Sequence, residues 1–222
     1  MEKQIMEKQI MQDQEIKQIK IEWWQLLFWF TAGASCFFVS QILLRIPLLT
    51  QMQNSTSIIA FLTANQNWVL PVSILVLLSA GLFEEGFRFL FKRFLLRPDR
   101  SPYTQPLIFG VGHALCEAIY LLLPLIPVYP FSALWPAFIE RLMTLFIHIG
   151  LTFIVWNGFQ TGKKWLHLII AILVHGLVNA IIPISSQFNL PGLVLPWLIV
   201  ATLSLLAYSL YSRKFYRQEI PS

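Results

Sequence analysis

Between residues 23 and 212 the chain carries six apolar runs, at 23–47, 68–94, 105–126, 133–156, 165–184 and 191–212. A helix needs about 20 residues to cross a hydrocarbon core, and each run is long enough. The runs lack the strict alternation of strands. Only helices and closed barrels satisfy their backbone groups in lipid, so the sequence predicts an all-α polytopic membrane helix bundle of about six transmembrane helices. Composition agrees: 12% of the 222 residues are charged, against about a quarter in soluble domains. Pro71, Pro124, Pro127, Pro136, Pro183, Pro191 and Pro196 fall near the ends of the runs, where they predict boundaries.

Charge sorts the connections. Those at 48–67, 127–132 and 185–190 have no charged residue. Between them lie Lys92, Arg93, Arg97 and Arg100, then Lys163 and Lys164, and the tail holds Arg213, Lys214 and Arg217. Basic residues collect on the cytoplasmic side. Both termini are therefore expected in the cytoplasm, in a multi-pass protein of the cell (plasma or inner) membrane. Arg45 is the one exception, read as a side chain at a helix end that reaches for the interface. The net charge of +5 sits in these clusters, so it speaks for topology and for the lipid bilayer as partner, with no nucleic acid. The expected organisation is a polar leader at 1–21, a membrane domain at 22–213 and a cytoplasmic tail at 214–222. The leader repeats Met-Glu-Lys-Gln-Ile. It reads equally as an amphipathic surface helix or a disordered tail, and not as a signal peptide. Cys36 and Cys116 lie in apolar runs and are expected as free, buried thiols. The sequence sets no oligomeric state.

A few ionisable residues interrupt the runs: Glu84, Glu85 and Arg88, then His113, His148 and His175. Charge at bilayer depth is expensive and faces a protein interior or a water-filled cavity. Counted at about 1.5 Å per residue, the two carboxylates and three histidines all lie about 12–15 Å from the basic ends of their helices. Glu117, Asn179, Glu140 and Arg141 are expected in a second layer further out. Glu117 follows His113 by four residues, Asn179 follows His175 by four, and Arg141 precedes His148 by seven. Each helix thus shows one polar stripe, and segments 2 to 5 are expected to share a polar interior that holds a functional site. Structural roles compete with this reading. A lone membrane histidine is usually an interhelical hydrogen-bond residue. Arg88 is expected to pair with its own carboxylates, Glu117 with Arg141, Phe109 to pack, and His167 to lie at the interface. Gly81, Gly86, Gly110, Gly112 and Gly176 are expected to let helices approach, with Gly112 and Gly176 leaving room for a substrate backbone.

The set Glu84-Glu85-x-x-Arg88, Phe109-x-x-x-His113 and His175-x-x-x-Asn179, in this order on three of the helices, resembles the CPBP superfamily. These are CAAX prenyl endopeptidases and bacteriocin-processing or immunity proteins, which are intramembrane proteases. The stretch from Gly110 through His113 and Glu117, followed by Glu140-Arg141 and His148, is similar more specifically to the YhfC-type membrane peptidases. The resemblance covers roughly 80–182. In one departure, two residues rather than three separate Glu85 from Arg88, which moves the arginine onto the face of Glu84 and fits the YhfC-type pattern better.

The resemblance implies an intramembrane endopeptidase acting on a membrane-associated or lipidated protein or peptide. By the same resemblance Glu84 is the general base, Glu85 belongs to the catalytic set, His113 orients the water, and His175 and Asn179 line the oxyanion site. Arg88, Phe109, Glu117, Arg141 and His148 support them. Two mechanisms stay open. A glutamic-type site without cofactor is preferred, because the chain has no His-Glu-x-x-His helix. Zinc held by His113, His148 and His175 is the alternative. Two non-enzymatic classes compete: a transporter or proton relay, and a bacteriocin-immunity-type membrane binding protein. The lack of an inverted repeat counts against the transporter.

Overall fold

The computed structural model describes residues 19–96, 99–216 and 219–220. The leader up to residue 18 lies outside the described residues, so both readings of it stand unaddressed. Six helical spans run over Trp23–Gln53, Gln66–Leu95, Thr104–Leu122, Phe131–Gln160, Lys164–Gln187 and Pro191–Phe215, each long and apolar enough to cross a membrane. The chain is an integral, multi-pass, all-α membrane protein. Ile19–Lys20 and Glu219–Ile220 form a two-residue parallel pairing. The two ends therefore meet on one side, as an even number of crossings requires.

The first span joins α1 (Trp23–Phe37) to α2 (Ile46–Gln53) through a π-helical stretch, Phe38–Arg45. It runs past its expected end at 47. The expected connection at 48–67 carries its own helix, α3 (Thr56–Ala64). Its nine residues cover only about 13 Å, too short to cross. There follow α4 (Val69–Leu90), which ends in a π-helical turn at Phe91–Leu95, α5 (Thr104–Leu122), α6 (Phe131–Gln160), α7 (Lys164–Gln187) and α8 (Val194–Tyr211). The α5 helix stops short of the expected 126 because Pro124 and Pro127 offer no N–H to continue it, and turns follow. Pro136 and Pro183 lie inside α6 and α7 rather than at their ends. Spanning helices tolerate this where neighbours satisfy the freed backbone groups.

The main packing partners are α1 with α5, α4 with α7, α5 with α6, and α6 with α7 and α8. The α1 helix crosses closely on α5. A Cβ at Gly33 would lie 2.0 Å from the Phe109 carbonyl oxygen, and one at Gly112 2.1 Å from that of Phe30. Gly112 and Gly176 face Phe30 and Leu78, so neither leaves room for a substrate. At Gly86 a Cβ would meet nothing among the described residues within 4 Å, so that glycine serves no close approach.

Toward the basic connections the bundle is filled by Phe89, Phe109, Phe153, Trp156 and Phe159, all buried. Lys92, expected in a connection, is buried here too. Its ammonium donates to the Leu96 carbonyl at 3.1 Å and to Gln105 Oε1 at 2.8 Å. The same Gln105 oxygen accepts from Trp156 Nε1 at 3.0 Å. Just past the last span, Tyr216 donates its hydroxyl to Asn157 Oδ1 at 3.0 Å. Burial pushes its phenol well above the ordinary value, so it remains a donor.

Candidate functional site

The α4 helix turns Glu84, Glu85 and Arg88 inward, since lipid tolerates none of them. Facing them come His113 and Glu117 from α5, Arg141 and His148 from α6, and His175 from α7. The imidazoles gather as expected. Ring centroids lie 4.9 Å apart for His113 and His148, and 5.7 Å for His148 and His175.

Glu84 is the hub. Its Oε2 accepts from His113 Nε2 at 2.9 Å and lies 3.7 Å from Arg88 Nη2 and 3.8 Å from His148 Nδ1. Its other oxygen is 4.0 Å from His175 Nε2. Glu85, fully buried, turns elsewhere. Its Oε1 accepts from Arg88 Nη1 and from His175 Nδ1, the latter at 2.7 Å. Arg88 was expected on the face of Glu84 and paired with its own carboxylates, and it contacts both. It binds Glu85 more closely, because positions three and four apart are both neighbours on a helix.

These contacts set the tautomers. A guanidinium only donates, so His148 Nδ1 accepts from Arg88 Nη2 at 2.7 Å. The ring proton then sits on Nε2, 2.5 Å from Glu117 Oε2. In His175 the proton sits on Nδ1, toward Glu85, and the Nε2 lone pair faces Glu84. A carboxylate holding the far nitrogen is the usual support of a metal-ligating histidine.

Glu117 and Arg141 form the expected ion pair, at 2.7 Å. The expected separate outer layer is corrected, however. Glu117 also meets His148, which draws it into the cluster, while Arg141 holds Glu140 as well. The donor atoms fall into two groups that could hold a metal ion, each within 4.8 Å of one another: Glu84, His113, Glu117 and His148, and Glu84, Glu85 and His175. Glu84 belongs to both. Imidazole with carboxylate suits zinc and its neighbours.

A cavity of about 460 Å³ opens on the cluster. Glu84, Glu117, His148, His175 and Asn179 line it, while Glu85, Arg88 and His113 lie behind. It extends past Tyr120, Glu140 and Ile182, toward the helix ends joined by the uncharged connections. Asn179 sits one turn beyond His175, and among the described residues its amide has no hydrogen-bond partner. Phe109 packs on Trp156, with ring centroids 4.9 Å apart. His167 donates Nδ1–H to the Ile154 carbonyl at 2.9 Å, away from the cluster. Cys36 and Cys116 are free thiols, the second only half-buried.

Arg45 is the residue that sequence reasoning misplaced. The span continues beyond it through the 8 residues of α2, and its side chain turns inward to the cavity wall. Its spacing of four from Gln41, inside an apolar run, was the available signal.

A protein-family profile described as YhfC intramembrane metalloprotease matches residues 17–134 and 125–202. Searches of curated proteins and of solved structures each gave no match. The matched stretches take in α1 to α7 and every residue of the cluster. With most of its length inside the match, the chain belongs to the YhfC intramembrane metalloprotease family.

Proposed function

We propose that this membrane protease is an endopeptidase that cuts a membrane-associated or lipidated protein or peptide, with Glu84 at the centre of the chemistry. One observation carries the reading: Glu84 stands at the inner wall of a cavity with nitrogens of three histidines turned toward it. The family description and the tautomer of His175 shift the first choice from a metal-free to a metal-assisted site. Glu84, the residue common to both groups, would hold the ion with His113 from the first, its proton then on Nδ1, and His175 from the second. His148 drops out of the ligand set, because Arg88 takes its Nδ1 lone pair and its Nε2 carries the proton. When bound, such an ion supplies Lewis-acid polarisation of the scissile carbonyl and a more acidic water.

The remaining work falls to the chain. Glu85 and Arg88 hold His175 and His148 in their tautomers. Glu117 lines the cavity and is the carboxylate that holds the proton taken from water and returns it to the leaving amine. The Asn179 amide donates to the developing oxyanion while staying neutral. A second reading is favoured by the 2.9 Å bond between His113 and Glu84, which needs no ion. There Glu84 is the base and His113 orients the water, as in the CPBP superfamily that the motif order resembles. In both readings the termini lie in the cytoplasm, so the cavity faces outward.

Elemental analysis of the purified protein decides between the two. The metal-assisted site carries about one ion per chain. The ion is absent from Glu84→Gln, His113→Ala and His175→Ala and retained in His148→Ala, and chelation stops peptide cleavage. A metal-free wild type whose cleavage still requires Glu84 would restore the glutamic reading. A wild type without peptidase activity in either state would end both and favour a proton relay.

A further inference from the structure

Three arginines stand around the cluster and its cavity, and two are neutralised. Arg88 binds Glu85 and contacts Glu84, and Arg141 binds Glu117 and Glu140. Arg45 differs. Its Nε donates to Ser79 Oγ at 3.0 Å, Nη1 to Gln41 Oε1 at 3.0 Å and Nη2 to the Val76 carbonyl at 2.8 Å. All three acceptors are neutral, and among the described residues Arg45 makes no ion pair. These bonds fix the guanidinium without discharging it. A guanidinium has five N–H groups, so some remain to offer. A half-buried cation without a counter-charge is costly, and here it lines the same cavity as Glu84, Glu117, His175 and Asn179.

We propose that Arg45 recognises a carboxylate on the substrate peptide, two to four residues from the bond that is cut. The spacing comes from its anchors. Val76 and Ser79 precede Glu84 by eight and five residues on α4, which places Arg45 about 8–12 Å along the helix from Glu84. Extended peptide covers about 3.3 Å per residue. The π-helical stretch Phe38–Arg45 ends at this arginine, and such stretches are frequent at functional sites. The rest of the wall is acidic, with Glu84, Glu117 and Glu140 against Arg141. Among the described residues of this wall Arg45 is the arginine not already bound to a carboxylate, so a substrate carboxylate is drawn to it, and this sets the register of the peptide. The carboxylate is either an Asp or Glu side chain or a free C-terminus, and the fork of a guanidinium suits both.

The inference rests on the endopeptidase reading only in naming the ligand a peptide, and binding tests it apart from turnover. The full chain in phosphatidylcholine nanodiscs is titrated with dye-labelled apolar decapeptides: neutral and amidated, with one Asp, with a free C-terminus, or with one Lys. Wild type binds one or both carboxylate peptides at least about tenfold tighter than the neutral one, and the peptide that gains identifies the source. Arg45→Gln loses this advantage, and Arg45→Lys keeps part of it. Arg45→Glu instead prefers the Lys peptide, which also shows that the variant folds. Equal binding of all four peptides by wild type, or an advantage that survives in Arg45→Gln, overturns the proposal. Cleavage is scored on the same samples. Arg45-dependent binding without any cleavage ends the endopeptidase reading and leaves this one standing. Cleavage indifferent to Arg45 and to peptide charge does the reverse.

Discussion

Toward the basic connections the helices close on aromatic rings, and toward the uncharged connections they part around a cavity. At the closed end Phe109, Phe153 and Trp156 are fully buried, and even Lys92 is drawn in and bonded. At the open end Tyr120, Leu121 and Glu140 line space. The reactive groups lie at the boundary between the two. Glu84 and Glu85 divide the same way over one residue: the first reaches the cavity, while the second is 0% exposed and held by Arg88 and His175. An adjacent pair of like charges thus becomes one group that lines the cavity and one group that braces its neighbours. The difference teaches that, among the described residues, the cavity meets the cluster from the side of the uncharged connections.

Three experiments break or sharpen this contrast. The largest effect is expected at the closed end. Trp156→Ala removes a fully buried ring and should cost ~3–5 kcal/mol of stability, seen as a marked fall in melting temperature in detergent. Leu121→Ala, on the cavity wall, should change stability by less than about 1 kcal/mol. Equal losses would mean that the two ends are packed alike. A middle effect belongs to the polar wall. Glu117→Gln and Arg141→Gln should each lower stability by ~1–3 kcal/mol, less than a fully dry pair because both side chains keep some exposure. The charge-swapped double variant should not recover the loss. An arginine at 117 would face the proton on His148 Nε2, so recovery would show that Glu117 serves Arg141 alone. The third experiment should leave stability unchanged. With Cys36 and Cys116 replaced, an impermeant thiol reagent added to intact cells should label Asn67→Cys at the open end. Lys163→Cys, at the closed end, should be labelled only after the cells are opened. The reverse pattern would turn the cavity toward the cytoplasm.

The spans and the cluster were legible in the sequence for one reason. Ionisable residues are rare at bilayer depth, so Glu84, Glu85, His113, His148 and His175 stood out and their depths could be counted. What escaped depends on direction and on local winding. The π-helical stretch before Ile46 changes the turn on which Arg45 points, and a count at 3.6 residues per turn does not register it. Lys92 looked like a connection residue because it opens the basic cluster with Arg93, Arg97 and Arg100 at the end of its run. Glu117 could be matched to Arg141 by depth, but its contact with His148 needs both helices in place. The hand of each histidine, which decides which of them can ligate a metal, depends on Arg88 and Glu85 reaching across from α4, and no spacing rule carries that.

The crossing at Gly33 and Gly112 bears on biogenesis. The first span packs chiefly on the third, through glycines that bring Phe30 and Phe109 backbones together, and the second packs chiefly on the fifth. A chain delivered to the bilayer span by span would hold its first two helices without their principal neighbours until later ones emerge. Glu84 and Glu85 would face lipid with only Arg88 of their own helix beside them during that interval, the period in which a quality-control protease or a chaperone of the insertion machinery would find this protein easiest to recognise.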